Sequence, residues 1–200
     1  MGTRRGEPSD EELMARLRRG DDEALRVLYQ RHAGPLYNFA NRMLMDPGRA
    51  EEVLQETFLR VYKDRAAFRP VATFKTWAFT IARNLCLDIL RSAPRRLEVP
   101  ANPLPEVADP APTPLDQLDR AEREAAVRRA LAELSAEDRE VLVLSRYHGL
   151  RYREIAAIVG ASEDAVKMRA HRALTRLRNL LGNYFSGSCA HPVTFLGLTR

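Results

Sequence analysis

The sequence predicts an all-α protein of two helical domains joined by a proline-rich, extended linker. Apolar residues recur at helical intervals in both halves, and no stretch of useful length alternates as a strand would. Seven of the twelve prolines lie between Pro94 and Pro114, where their density excludes a helix and disfavours paired strands. We therefore expect domains over residues 9–93 and 118–182, a linker over 94–117 and an extension over 183–200.

Composition limits the class of protein. The 200 residues carry a formal net charge of +5, which favours a polyanionic partner without identifying one. Cys86 and Cys189 lack a paired spacing, so a disulfide framework is not expected. No apolar run approaches the roughly 18 residues of a membrane span, and residues 1–13 lack the apolar core of a secretory signal. These features predict a cytoplasmic protein.

The segment 50–63 gives the clearest helical pattern of the first half. One face collects residues at intervals of three and four, namely Ala50, Val53, Leu54, Thr57, Phe58, Val61 and Tyr62. The opposite face carries Glu52, Gln55, Glu56, Leu59 and Lys63. Upstream, a capping-box pattern from Ser9 to Glu12 predicts a helix start, and Gly20 predicts its end.

The window 68–96 combines aromatic, amide and basic residues. A helix over 73–92 would place Phe74, Trp77, Ala78, Ile81, Ala82, Leu85 and Ile89 on one broad side, which predicts a core face. A different stripe carries Thr76, Thr80, Arg83, Asn84, Leu87 and Arg91. Five basic residues and one acidic residue lie between Lys75 and Arg96, so this stripe is positively charged.

Phe68 lies in the loop before that helix and has two interpretations. Beside an amide and basic stripe, a loop aromatic can hold an unstacked base. A loop phenylalanine is more often a plug for the local core. The residue alone does not decide between them.

Residues 151–178 have the pattern of a helix-turn-helix. Ile155, Ala156 and Val159 mark one helix, and Gly160 lies where a sharp turn needs a positive φ. Ser162 is a good N-cap for the next helix. The predicted buried side of that helix is Val166, Ala170, Ala173, Leu174 and Leu177.

The exposed side of the second helix is basic. It carries Lys167, Arg169, His171, Arg172, Arg176 and Arg178, with Arg169 placed where it packs partly against the first helix. A recognition helix sets its first turns against base edges and its flanks against phosphates. A helical hairpin with a solvated basic face is the alternative; the agreement of glycine, cap, core spacing and charge favours DNA binding.

Three segments together resemble a known family. AEEVLQETFLRVYKDRAAF (50–68), FKTWAFTIARNLCLDILR (74–91) and the stretch from ALAELSAEDREV to RALTRLR (130–178) are similar, in order and spacing, to regions 2.2, 2.3–2.4 and 4 of bacterial RNA polymerase sigma factors of the extracytoplasmic-function (ECF, group IV) subfamily. The resemblance covers residues 9–182. It implies a region 2 bundle and a region 4 helix-turn-helix, and a protein that directs promoter-specific transcription initiation.

The resemblance also implies roles for the faces. The core polymerase, through its β′ clamp helices, would contact Glu52, Gln55, Glu56 and Leu59. The −10 promoter element would be melted and held by Phe68, Lys75, Thr80, Arg83, Asn84 and Arg91. The −35 element would be read as a duplex by Ser162, Lys167, Met168, His171, Arg172 and Arg176. Glu163 and Asp164 depart from many relatives, which leaves the −35 sequence open.

The resemblance implies further partners: the β flap of the polymerase, promoter DNA both duplex and single-stranded, and an anti-sigma factor. The linker carries four acidic residues and no basic residue between Leu97 and Leu118. Its composition predicts a solvated connector, whereas the resemblance implies a segment that threads into the polymerase, where its acids would mimic RNA. No catalytic constellation, cofactor, metal site or small-molecule substrate is predicted. A free-standing helix-turn-helix regulator and a protein-binding adaptor are the competing hypotheses.

Overall fold

The structure is a computed structural model that describes residues 7–69, 73–92 and 114–185, the side chains of 114–121 and 183–185 apart. Within these residues the chain forms eight α-helices and no strand, which confirms the predicted all-α class. They are α1 (Asp10–Arg18), α2 (Asp22–Leu44), α3 (Pro47–Lys63), α4 (Phe74–Ser92), α5 (Pro114–Ala132), α6 (Ala136–Arg146), α7 (Tyr152–Val159) and α8 (Glu163–Phe185).

Helix α1 begins as its sequence predicts. The Ser9 hydroxyl accepts a hydrogen bond from the Glu12 amide at 3.2 Å, and the Glu12 carboxylate accepts one from the Ser9 amide at 2.7 Å. This reciprocal capping box satisfies two amides that the first turn leaves unpaired. Gly20 follows the helix with φ at 91°, and α2 starts two residues later.

The predicted core face of α3 is buried with one exception. Its buried residues are Ala50, Val53, Leu54, Thr57, Phe58 and Val61. Tyr62, predicted on the same face, is 37% exposed, and the Arg65 guanidinium stacks on its ring at 4.4 Å. The prediction for Tyr62 was wrong because the residue lies at the edge of the stripe, where a cation rather than the core covers the ring.

The helix-turn-helix geometry of α7 and α8 is present. Gly160 closes α7 in the left-handed conformation, with φ at 71° and ψ at 40°. The Ser162 hydroxyl accepts a hydrogen bond from the Ala165 amide at 3.2 Å at the start of α8. Helix α5 begins at Pro114, inside the segment predicted as linker, and proline is well tolerated in a first helical turn. The linker over 94–113 and the extension over 186–200 lie outside the described residues.

The buried side chains of the two halves form shared clusters. One cluster runs from Phe39 and Phe79 in α2 and α4 to Val143 and Ile155 in α6 and α7. A second joins Met45, at the end of α2, to Leu131 and other residues of the second half. Helices α1–α4 therefore pack directly against α5–α8, an arrangement that the sequence did not define. Among the described residues, no helix is both long and apolar enough to span a membrane.

Candidate polymerase and nucleic-acid interfaces

The polar face of α3 is open to solvent. Glu52 and Gln55 are exposed, and Glu56 is half-buried with its carboxylate 2.8 Å from Arg60. Leu59 is 51% exposed in the middle of this face. A single exposed leucine is common on protein surfaces, so its exposure leaves the face open to a partner but does not identify that partner.

Helix α4 is buried on more sides than predicted. Phe74, Ala78 and Ala82 are buried as expected, while Trp77, Ile81, Leu85 and Ile89 are only partly buried. Thr76 and Leu87, predicted on the polar stripe, are 7% and 8% exposed. Phe79 and Cys86, assigned to neither face, are completely buried. The physical reason is that the second half of the chain covers the stripe side of α4.

The remaining stripe residues differ in their surroundings. Thr80 donates a hydrogen bond to the Thr76 carbonyl at 2.8 Å. Asn84 is exposed, and its side-chain oxygen accepts from Arg83 at 3.3 Å. Arg91 is exposed at the end of the helix, 3.8 Å from Asp88. Only the C-terminal part of the predicted DNA stripe is therefore open in this structure.

Phe68 is a buried plug in this structure. Its side chain is 4% exposed, and its ring lies 5.2 Å from Trp77 and 6.5 Å from Phe74 between centroids. Aromatic pairs at such separations and tilted angles are favourable contacts. The ring offers no open face to a base in this structure, and its predicted role as a wall of a base pocket stays a prediction. Residues 70–72 of the same loop lie outside the described residues.

Two cations of α4 are bound by the second half. The Arg83 guanidinium donates two hydrogen bonds to the Glu140 carboxylate, at 2.7 and 3.1 Å. The Lys75 ammonium donates to the carbonyl of His148 at 3.3 Å. Both residues were predicted to hold DNA phosphates; in this structure both donate to protein oxygens, and the phosphate role stays a prediction.

Helix α8 presents its predicted row to solvent. Its buried side is Val166, Ala170, Ala173, Leu177 and Leu181. Opposite to them, the exposed row consists of Lys167, Met168, His171, Arg172 and Arg176. Met168 is 62% exposed, so its apolar side chain is open to a partner. The row sits on the first turns of α8, where a recognition helix meets base edges.

Acidic residues of the same helix engage one cation of this row. The Lys167 ammonium lies 3.3 Å from Glu163 and 3.5 Å from Asp164. Hydrogen bonding to Glu163, with the charge of both carboxylates, raises the pKa of Lys167. Lys167 must exchange these partners before it can contact DNA, whereas Arg172 and Arg176 have no ion pair among the described residues.

Glu140 and Arg139 are the residues that sequence reasoning missed. Glu140 is fully buried between Arg83 and Arg169, and Arg169 lies 3.9 Å from its carboxylate. Arg139 is 3% exposed and donates to four backbone carbonyls. A signal was available, because Glu140 shares a helical face with Val143 and Leu144, and a buried acid needs a cation. The pattern could not identify that cation.

In the part of the chain that the structure describes, no three His, Cys, Asp or Glu side chains cluster as metal ligands.

Comparison with known proteins identifies the family of the chain. Residues 28–96 match the model of Sigma-70 region 2, and residues 115–177 match that of Sigma-70 region 4. RNA polymerase sigma factor CarQ of Myxococcus xanthus is 37% identical over 169 residues, which cover 84% of this chain and 95% of CarQ. ECF RNA polymerase sigma factor SigL of Mycobacterium tuberculosis is 36% identical, with coverage of 77% and 86%.

Solved structures agree. CnrH, in a complex with the cytosolic domain of CnrY, is 28% identical, with a TM-score of 0.69 and coverage of 88% of this chain and 99% of that one. The sigma factor RpoE from Bartonella quintana, in a complex with the anti-sigma factor NepR, is 28% identical, with a TM-score of 0.60 and coverage of 78% and 95%. The chain belongs to the ECF sigma factors, which bind core RNA polymerase and direct promoter-specific transcription initiation.

Proposed function

We propose that the open row of α8 reads the −35 element as duplex DNA. Arg172 and Arg176 are exposed and lie on the same side of the helix as His171 and Met168. Arginine pairs with guanine through two hydrogen bonds, and an apolar side chain can contact a thymine methyl group. This exposed row, on a helix capped and packed as a recognition helix, is the observation that carries the proposal.

The polar face of α3 docks on the β′ clamp helices of core polymerase. Glu52 and Gln55 supply exposed hydrogen-bonding groups, and Leu59 supplies apolar surface that water covers in the free protein. Burial of Leu59 in the complex contributes roughly 1–2 kcal/mol. The second half would contact the β flap, so that the two DNA-binding faces are held apart on the enzyme.

The stripe of α4 captures the −10 element as a single strand. Lys75, Arg83 and Arg91 would hold phosphates, with Thr80 and Asn84 beside an unstacked base and Phe68 behind it. No bond is made or broken in this step, since binding of unstacked bases offsets the few kcal/mol that unpairing costs. Sigma factors are initiation factors, and this one would act on DNA in the cytoplasm with the polymerase.

An anti-sigma factor is a further partner in this proposal. The Bartonella quintana RpoE was solved in a complex with the anti-sigma factor NepR, and CnrH in a complex with the cytosolic domain of CnrY. The exposed apolar side chains Leu59 and Met168 give this chain surfaces that a protein partner could cover. Co-purification of the tagged chain from its native host would identify that partner.

The decisive experiment for the function is transcription of host genomic DNA by core polymerase with and without the purified chain. Sequencing of transcript 5′ ends should show new start sites preceded by two shared sequence blocks.

The α3 face is tested by a double variant. Gln55→Ala with Glu56→Ala should weaken binding to core polymerase, while the circular dichroism spectrum of the chain stays unchanged. A chain that shifts duplex DNA but neither binds core nor creates start sites would instead be a free-standing regulator.

A further inference from the structure

The face that should hold the −10 strand is the face on which the second half lies. Arg83 makes two charged hydrogen bonds to Glu140 of α6, and its side chain is 17% exposed. Lys75 is held by the His148 carbonyl. Thr76 and Leu87 on the same side of α4 are buried. A DNA strand and the second half therefore compete for one surface.

Glu140 is the centre of this contact. Its side chain is completely buried, and its carboxylate is approached by Arg83 from α4 and by Arg169 from α8. A guanidinium binds a carboxylate and a phosphate with the same paired geometry. Glu140 therefore occupies the Nε–Nη2 edge of Arg83, which is the edge that a DNA phosphate would otherwise bind in the same paired geometry.

Other contacts hold the two halves in the same arrangement. Arg139 donates to the carbonyl of Met43 at 2.5 Å, which ties α6 to the end of α2. The Arg42 guanidinium stacks on the Tyr147 ring at 4.2 Å. The His148 ring packs against Phe39 and Phe79. The interface combines apolar packing with the Arg83–Glu140 ion pair, hydrogen bonds to backbone carbonyls and a cation–π contact.

We propose that Glu140 is the latch of an autoinhibited state, in which the second half of the chain masks the −10 strand surface until the two halves separate. This inference rests on the proposed role of α4 in strand capture. Separation of the halves frees Arg83 of α4, while Glu140 keeps Arg169, which lies in the same half, as its cationic neighbour, so the acid is not left without a cation. A partner that binds only the open chain, such as core polymerase, shifts the population toward it.

The test compares Glu140→Gln with wild type and with Glu137→Gln in the full chain. Glu137 is exposed on the same helix, so the control removes the same charge without touching the latch. Small-angle scattering reports whether the free chain expands. Binding of a fluorescein-labelled, mixed-sequence single-stranded DNA reports access to the α4 surface.

Glu140→Gln should increase the radius of gyration and tighten single-strand binding several-fold, because the apparent dissociation constant scales inversely with the binding-competent fraction. Glu137→Gln should match wild type in both measurements. Equal size and equal affinity of Glu140→Gln and wild type would overturn the latch.

Tyr147→Ala decides the question if Glu140→Gln fails to fold, since it weakens the same interface through a different contact. A folded Tyr147→Ala chain that stays as compact as wild type, with unchanged single-strand binding, would also overturn the proposal. Transcription with core polymerase separates the two ideas. Initiation by wild type with no opening in either variant would refute the latch alone, whereas absence of initiation would refute the proposed function.

Discussion

Helices α4 and α8 each carry a row of polar and basic residues at helical spacing, yet they differ in what lies over the row. On α8 the residues Lys167, Met168, His171, Arg172 and Arg176 face solvent. On α4 the corresponding side is covered by α6 and α7, and Arg83 is bound to Glu140. An amphipathic pattern shows which residues share a face, but it does not show whether that face is free.

The largest effect on stability should come from Arg139, whose hydrogen bonds join α6 to α2 beside the covered side of α4. Arg139→Ala removes the donor for the carbonyls of Met43, Leu131, Ala132 and Leu134. Loss of charged hydrogen bonds at a buried site should lower the free energy of unfolding by about 3 kcal/mol. Urea denaturation followed by circular dichroism measures it. Arg146→Ala, an exposed residue at the end of the same helix, should change it by less than about 0.5 kcal/mol. Equal stability of the two variants would show that the hydrogen bonds of Arg139 do not stabilise the fold.

The open row of α8 is tested by Arg172→Ala. Loss of a paired contact to a base should reduce discrimination at one −35 position by about 1–3 kcal/mol. Competition between promoter duplexes that differ at single −35 positions measures this discrimination for the holoenzyme. Arg178→Ala, farther along α8, should weaken all duplexes alike. A uniform loss for Arg172→Ala would assign that residue to the phosphate backbone.

The covered side should also respond to acid. Burial, with the nearby charges of Arg42 and Lys75, lowers the pKa of His148 to about 3. Below the unfolded value of about 6.5, the unfolded chain binds a proton that the folded chain excludes, so stability falls as pH drops toward 3. At pH 5 the loss relative to pH 7 should be about 1–2 kcal/mol. His148→Phe should abolish this part of the pH dependence, and replacement of the exposed His171 should not. An unchanged profile for His148→Phe would rule out this cause.

The smallest effect should come from the exposed end of the α4 stripe. Asn84→Ala should slow open-complex formation about tenfold, which corresponds to about 1.4 kcal/mol, while core binding is retained. Permanganate reactivity of promoter thymines measures strand opening. Ser92→Ala, exposed at the end of the same helix, serves as the control. Normal opening by the Asn84 variant would remove this residue from the proposed site.

Local chemistry made much of the fold predictable. The caps at Ser9 and Ser162 and the turn at Gly160 lie where short-range hydrogen bonding and backbone sterics require them. The buried stripe of α3 was predictable because its apolar residues recur at intervals of three and four, which places them on one side of a helix. Family resemblance then supplied the class of protein, which the comparisons confirmed.

The contact between the halves was not predictable from local patterns. Glu140 and Arg83 are 57 residues apart in the chain, and nothing near either residue specifies the other. Phe79 packs against His148 of the second half as well as against Phe39 of α2, and neither contact is visible in the local pattern of α4. The helical spacing of apolar residues predicted one buried face of α4, whereas in the folded chain two sides of this helix are covered.

Energy transfer between dyes on the two halves tests the central claim most directly. Exposed positions Glu51 on α3 and Arg178 on α8 can be changed to cysteine, with Cys189 replaced by serine. Burial raises the pKa of the Cys86 thiol to about 12, so that thiol should stay unlabelled. The account predicts high transfer in the free chain and low transfer in the holoenzyme. Equal transfer in both states would contradict the claim that one face of α4 serves the second half and the −10 strand in turn.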